Sequence, residues 1–274
     1  MGAMVIFKWI PGLSYFIVMT LYIRFFIKQT EKYGKLLTPA LSVTLILHFA
    51  YLIAFTHITK HLPVSNIFEM MTSNVFVFTF IYLMIERVIH ERALGVIIVI
   101  IAFVLQVISS IFLDLDKSTA AILSEMSFYE IHVVTMQLAY SGFTISFISS
   151  LMYILLSREI HKKRLGFFFS RLPSLELMDR LSNLAVIIGF GFISIGIIIG
   201  ILMASKVWGA RWPLDPKLIS VFLTWGIYFA FVYFRNFRDW QGNRASMLSI
   251  IGFIWIFISV LVFSIFLSKI HSFI

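Results

Sequence analysis

One uninterrupted apolar run decides the fold class: Asn183-Leu-Ala-Val-Ile-Ile-Gly-Phe-Gly-Phe-Ile-Ser-Ile-Gly-Ile-Ile-Ile-Gly-Ile-Leu-Met-Ala-Ser205. It contains no charged residue, and about 20 apolar residues are enough to cross the hydrocarbon core of a bilayer as a helix. Over the whole chain of 274 residues, 60% are hydrophobic and only 13% are charged. This composition is typical of a multi-pass membrane protein.

Seven further apolar runs of similar length predict an all-α, polytopic membrane protein with eight transmembrane helices. Helices are favoured over the strands of a β-barrel because the runs are continuous and do not alternate between apolar and polar residues. The predicted spans are residues 4–27, 36–57, 68–86, 93–113, 130–157, 183–205, 216–235 and 246–268. Since no linker interrupts this series, residues 1–274 are expected to form a single membrane domain.

The lysine and arginine residues predict the orientation. If the spans alternate in direction, 15 of these cations lie on one side of the membrane and 7 on the other. Short loops rich in Lys and Arg remain on the inner side, so both termini are predicted outside, together with the loop 206–217. We ascribe the net charge of +9 to this topology and not to nucleic-acid binding. The expected location is a bacterial plasma membrane.

The outer loop has an unusual composition for so apolar a chain: Trp208-Gly-Ala-Arg-Trp212-Pro-Leu-Asp215-Pro-Lys217. Indole rings can stack on a flat macrocycle, and the two cations can pair with carboxylates. The alternative is that Trp208 and Trp212 only anchor the chain at the membrane interface. Asp215 followed by proline also predicts an N-cap at the start of the seventh span.

His132 at the start of the fifth span and His271 after the last share the predicted outer side with this loop, as do His57 and His61 at the end of the second span. Haem iron accepts two axial imidazoles, so the pair of His132 and His271 is a candidate haem site. Each histidine alone could instead be a polar residue at a helix end. His48 lies within the second span, where an ionisable group is a functional candidate. Its alternative is a neutral ring bonded to a neighbouring helix.

Three other motifs allow more than one interpretation. Ser65-Asn66-x-x-Glu69 predicts a variant capping box at the start of the third span, or a functional Glu69. Leu172, Leu175, Met178 and Leu181 recur at helical spacing within 171–181. This pattern predicts a short helix on the inner leaflet, or a docking surface for a cytoplasmic partner. Gly196-Ile-Ile-Ile-Gly200 predicts close helix packing without chemistry.

The chain is not expected to be an enzyme. It has no cysteine, which excludes disulfides, thiolate metal sites and Cys-x-x-Cys redox chemistry. We find neither a nucleophile paired with a base nor a phosphate-binding loop.

Six segments, taken in order, resemble the cytochrome c assembly family of membrane haem handlers, whose outer loop is rich in tryptophan. They are His61–Glu69, Glu130–Tyr140, Gly189–Gly200, Trp208–Lys217, Thr224–Tyr228 and Lys269–Phe273. The resemblance implies that His132 and His271 are the axial ligands of an outer haem b. It also implies that Trp208, Trp212 and Asp215 lie beside the haem ring.

The chain departs from the family pattern at three positions. Leu214 and Leu218 replace a tryptophan and an acidic residue of the family's loop. The family has a second histidine pair within the membrane; His48 matches its first member, but Tyr233 stands at the second position. Tyrosine ligates iron in some haem proteins.

Overall the sequence most resembles the HemX-type branch, which is associated with control of glutamyl-tRNA reductase. The expected partners are haem, the lipid bilayer, and a cytoplasmic haem-synthesis enzyme or a cytochrome c assembly partner. The rival interpretations are a small-molecule membrane transporter, and a structural membrane adaptor with a decayed haem site. A transporter normally carries several ionisable groups within its spans, and here His48 is nearly alone.

Overall fold

The computed structural model describes residues 6–113, 128–163, 166, 169–208 and 216–259, without the side chains of 206–208 and 216–217. Across these ranges the chain forms helices and turns and no β-strand, which confirms the all-α prediction. The eight long helices are α1 (Ile10–Lys28), α2 (Glu31–Thr59), α3 (Ile67–Ile89), α4 (Gly95–Phe112), α5 (Tyr129–His161), α6 (Leu175–Trp208), α7 (Pro216–Phe237) and α8 (Asn243–Ser259).

Each predicted span coincides with one of these helices. Seven of the helices described, α1 to α7, are long and apolar enough to cross a membrane. The described part of α8 has 17 residues and ends at Ser259, so the end of the eighth predicted span lies outside the described residues. Helix α7 begins at Pro216, where the Asp-Pro pair predicted a start.

The prediction of a separate surface helix within 171–181 was wrong. Helix α6 begins at Leu175, eight residues before the predicted span, and continues without a break to Trp208. The hydroxyl of Ser174 accepts a hydrogen bond from the Leu177 amide at 3.3 Å, as an N-cap does. Met178 and Leu181 are buried and Leu172 and Leu175 are half-buried, so most of the apolar stripe packs inside the protein and little of it is open for docking. A stripe with helical spacing cannot distinguish a helix lying on lipid from a turn that extends a span.

The capping interpretation of Ser65-Asn66-x-x-Glu69 is confirmed. The Asn66 side-chain oxygen accepts hydrogen bonds from the amides of Phe68 and Glu69, both at 3.0 Å. Glu69 reaches back and accepts from the Ser65 amide at 2.9 Å and from the Asn66 side chain at 2.8 Å. The cap therefore uses both carboxylate oxygens of a residue that is itself buried.

The chain divides into two compact units. The N-terminal unit comprises residues 1–126 with 170–173 and contains α1 to α4, and the C-terminal unit comprises 127–169 with 174–274 and contains α5 to α8. The single membrane domain predicted for residues 1–274 stays a prediction.

In the C-terminal unit, α5 and α6 pack closely. A Cβ atom at Gly142 would lie 2.7 Å from the backbone oxygen of Ala185, so only glycine permits this approach. Next to it, Phe143 stacks on Tyr228 of α7 with ring centroids 3.6 Å apart. At one end of the unit, Arg235 of α7 forms a bidentate ion pair with Asp179 of α6. The distances from Nη1 and Nη2 to the two carboxylate oxygens are 3.0 and 2.6 Å.

Each of the eight helices also exposes large apolar side chains, as expected where helices face lipid. Examples, one from each helix in order, are Leu13, Ile46, Phe80, Val104, Ile131, Ile198, Phe222 and Ile254.

Candidate functional site

His132 lies in the first turn of α5, and the backbone of α6 holds its ring. Its Nδ1 atom lies 3.0 Å from the carbonyl oxygen of Gly196. A carbonyl can only accept a hydrogen bond, so Nδ1 is the donor and the neutral ring carries its lone pair on Nε2. Histidines that ligate metals are oriented in the same way, by donating their second nitrogen to a carbonyl or a carboxylate.

Gly200, one turn further along α6, provides the space for this ring. A Cβ atom at Gly200 would lie 3.0 Å from Cε1 of His132 and 3.4 Å from Nδ1. The ring therefore occupies the place that a side chain would take. The Gly196–Gly200 motif predicted close packing only; in the structure its first glycine bonds His132 and its second makes room for it.

Aromatic residues of α6 and α7 pack together in the same unit. The indole nitrogen of Trp225 donates to the Ser194 hydroxyl at 2.9 Å, which fixes its ring on α6. The same ring stacks on Phe229 at 5.2 Å and contacts Phe190 at 5.5 Å. This aromatic cluster extends along α7 to Tyr233, whose ring contacts Phe229 at 6.3 Å.

The other residues predicted for the outer site cannot be compared with the structure. Trp212, Asp215 and His271 lie outside the described residues, and so does the side chain of Trp208. Pairing of His132 with His271 therefore stays a prediction. What the structure provides is one of the two proposed ligands, its orientation and the glycine that makes room for it.

His48, the histidine predicted within a span, is completely buried at the centre of the N-terminal unit. Its Nδ1 lies 3.2 Å from the hydroxyl of Tyr15 on α1, and its Nε2 lies 3.1 Å from the hydroxyl of Thr72 on α3. Thr72 in turn donates to the side-chain oxygen of Gln106 on α4 at 3.0 Å. One ring thus connects all four helices of the unit.

The hydrogen bonds around His48 engage both of its ring nitrogens. Thr72 gives its only proton to Gln106, so it accepts from Nε2–H of His48, and Nδ1 accepts from the Tyr15 hydroxyl. The Tyr15 oxygen also lies 2.7 Å from the hydroxyl of Thr79, which donates its own proton to the Val75 carbonyl. With both ring nitrogens engaged, His48 could ligate iron only after losing one of these bonds. This geometry favours the bonded, structural alternative.

Tyr233, the predicted partner of His48 at an inner site, belongs to the other unit. It lies in the last third of α7, is 41% exposed, and contacts Phe229, Phe234 and Phe237. Its pairing with His48 stays a prediction.

Comparison with known proteins identifies the family. Residues 64–271 match the family described as Cytochrome C assembly protein, which is more than half of the chain. The chain belongs to the cytochrome c assembly family. The matched range contains His132, the two glycines that contact its ring (Gly196 and Gly200) and Tyr233. It extends to His271, whereas His48 precedes it.

Relatives of known name in the cytochrome c assembly family cover most of the chain. A protein of Mesostigma viride named cytochrome c biogenesis protein CcsA is 29% identical over 238 residues, which is 78% of each chain. The CcsA protein of Porphyra purpurea is 26% identical over 239 residues, covering 73% of this chain and 75% of its own. That of Prochlorococcus marinus (strain MED4) is 27% identical over 267 residues, covering 87% and 83%.

Membership in the cytochrome c assembly family confirms the resemblance noted in the sequence at the level of the family. The relatives carry the name of cytochrome c biogenesis proteins, so the comparison supports a membrane protein of cytochrome c biogenesis. Assignment to the HemX-type branch within the family stays a prediction.

Proposed function

We propose that this protein binds haem at its outer face, with His132 as one axial ligand, and passes the haem on during cytochrome c biogenesis. The observation that carries the proposal is the bond from Nδ1 of His132 to the Gly196 carbonyl. This bond places the lone pair on Nε2, the nitrogen that would bind iron. Gly200 supports the same assignment, because a side chain at this position would crowd the ring in this orientation.

The residues of the C-terminal unit would hold the haem without catalysing a reaction. His132 and His271 would ligate the iron of haem b, and Trp208, Trp212 and Asp215 would lie beside the ring, as the family resemblance implies. Bound haem supplies an iron with two axial positions. The protein would orient one imidazole through Gly196 and hold the haem where an assembly partner can take it. We propose no bond-making step for the protein itself.

The HemX-type role is a second candidate, and the identity of residue 233 favours it. Where the family has its second inner histidine, this chain has Tyr233, and His48 is enclosed in its own network. A chain with no inner histidine pair suits haem sensing better than transfer across the membrane. Control of glutamyl-tRNA reductase would then need a cytoplasmic surface other than the stripe of Met178 and Leu181, which is buried.

One experiment separates these two roles. The gene would be deleted in the source organism, a bacterium in this proposal, and complemented with the wild type or with His132→Ala. If the protein serves cytochrome c biogenesis, covalent haem staining of c-type cytochromes falls at least about tenfold and only the wild type restores it. If it serves regulation, the cytochromes stay normal and the amount of glutamyl-tRNA reductase changes. If neither changes, both roles are refuted in favour of an adaptor or a transporter.

A further inference from the structure

A groove of about 610 Å³ opens at one end of the N-terminal unit, and the haem proposal does not use it. It lies between the first half of α2 and the end of α3 with the turn that follows. Its lining residues are Thr38, Pro39, Ser42, Val43, Glu86, Arg87, His90 and Arg92. Three of these eight are arginine or histidine, and the charge pattern of the loops places this end on the inner side of the membrane.

The two arginines of the groove reach across to hydroxyl groups of α2. Arg87 donates through Nη2 to the Ser42 hydroxyl at 3.0 Å, and Arg92 donates through Nε to the Thr38 hydroxyl at 3.3 Å. Each bond uses one of the five N–H donors of a guanidinium. Among the described residues, neither arginine forms an ion pair with a carboxylate. Both side chains are thus held in place and keep donors for a further acceptor.

The one carboxylate in the groove, Glu86, is already satisfied. It is 2% exposed, and it accepts hydrogen bonds from the hydroxyls of Tyr22 and Thr38, both at 2.6 Å. Because Thr38 gives its proton to Glu86, its oxygen is the acceptor for Arg92. Glu86 therefore fixes Arg92 through Thr38, and hydroxyl donors occupy both of its oxygens.

The groove has a cationic side, formed by Arg87 and Arg92, and an apolar side on α2. Pro39 lines it and has no N–H to donate to the preceding turn. Beyond it, Val43 is 55% exposed and Ile46 is 67% exposed on the same helix. A ligand that satisfies both parts has an anionic head group and a hydrocarbon chain.

We infer that this groove binds one anionic phospholipid of the inner leaflet, with the phosphate between Arg87 and Arg92 and an acyl chain along Val43. Guanidinium groups form two parallel hydrogen bonds with phosphate, which lysine cannot do. Basic pockets between helices at the cytoplasmic end of membrane proteins are suited to such head groups. The same chemistry could bind a free phosphate ester, but the exposed apolar wall beside the arginines favours the lipid.

The test is native mass spectrometry of the full chain in detergent, titrated with phosphatidylglycerol or with phosphatidylcholine of the same acyl chains. We expect selective binding of phosphatidylglycerol. Arg87→Gln with Arg92→Gln should weaken it about 25-fold, about fivefold for each arginine, without changing phosphatidylcholine binding. Arg24→Gln is the matched control, because Arg24 is an exposed arginine of the same unit that does not line the groove. Equal phosphatidylglycerol binding by the double variant would overturn the inference.

Two further arms keep the test decisive. Glycerol 3-phosphate should not displace the lipid at equal concentration, and displacement would show that the site takes a phosphate ester and not a lipid. If the double variant does not fold, the single variants Arg87→Gln and Arg87→Lys decide, because Arg87 is exposed. Both should lose affinity, glutamine more than lysine, since lysine keeps the charge but not the paired geometry. Unchanged affinity in both would contradict the proposal.

Discussion

His48 and His132 are the same residue type in two different units, and their surroundings differ in kind. Side-chain hydroxyls from two other helices engage both nitrogens of His48. A backbone carbonyl holds one nitrogen of His132, in a position that a glycine leaves open. Both rings join helices, but side chains bond the His48 ring through its two nitrogens, whereas a backbone carbonyl orients the His132 ring through Nδ1. The atoms that bond each ring, more than the position of the histidine within a span, therefore indicate which histidine can act as an iron ligand.

The labelling of introduced cysteines gives the largest effect, because it is all or none. The chain has no native cysteine, so background labelling is absent. Cysteine at Ser272 should react with an impermeant maleimide applied from outside, and cysteine at the exposed Ser170 should react only after permeabilisation. The opposite pattern would place the His132 end of α5 inside and refute an outer haem site.

Replacement of Gly200 by leucine should abolish most haem binding. The new side chain would occupy the space of the His132 ring, and loss of an orienting contact typically costs 10- to 100-fold in metal affinity. We expect the haem content of purified protein to fall at least about tenfold. Gly191→Leu is the control on the same helix, because among the described residues no atom lies within 4 Å of a Cβ there. Equal haem contents in the two variants would show that the space at Gly200 for the His132 ring does not matter for haem binding.

His48→Ala should instead lower stability and leave haem content intact. It removes one of the two hydrogen-bond partners of each of the Tyr15 and Thr72 hydroxyls, and loss of a buried partner costs about 1–3 kcal/mol. Thermal unfolding in detergent would measure the loss, with the exposed His57→Ala of the same helix as control. A His48→Ala protein that keeps its stability but loses its haem would show that His48 binds haem and is not a structural residue.

The amino-acid sequence was sufficient to predict the helices, because a continuous apolar run has few other stable structures in lipid. It also predicted the cap at Asn66, whose partners lie within three residues in the chain. It could not predict that Gly196 bonds His132, since these residues are 64 apart and meet only when two helices pack. For the same reason it placed Met178 and Leu181 on a surface, although both are buried.

Thr72→Val should have the smallest effect. It removes the acceptor of His48 and the donor to Gln106 while preserving shape, and we expect a loss of about 1 kcal/mol. Combined with His48→Ala, the two losses should be clearly less than additive, as contacting residues are. Full additivity in a double-mutant cycle would mean that the two side chains do not interact.

The most direct test of the central claim is the Soret absorbance per protein, measured on wild type, His132→Ala and His48→Ala purified side by side with added haem. The account predicts a Soret band in the wild type and in His48→Ala, and its loss in His132→Ala with normal helical content by circular dichroism. Retention of the band in His132→Ala, with loss in His48→Ala, would contradict it.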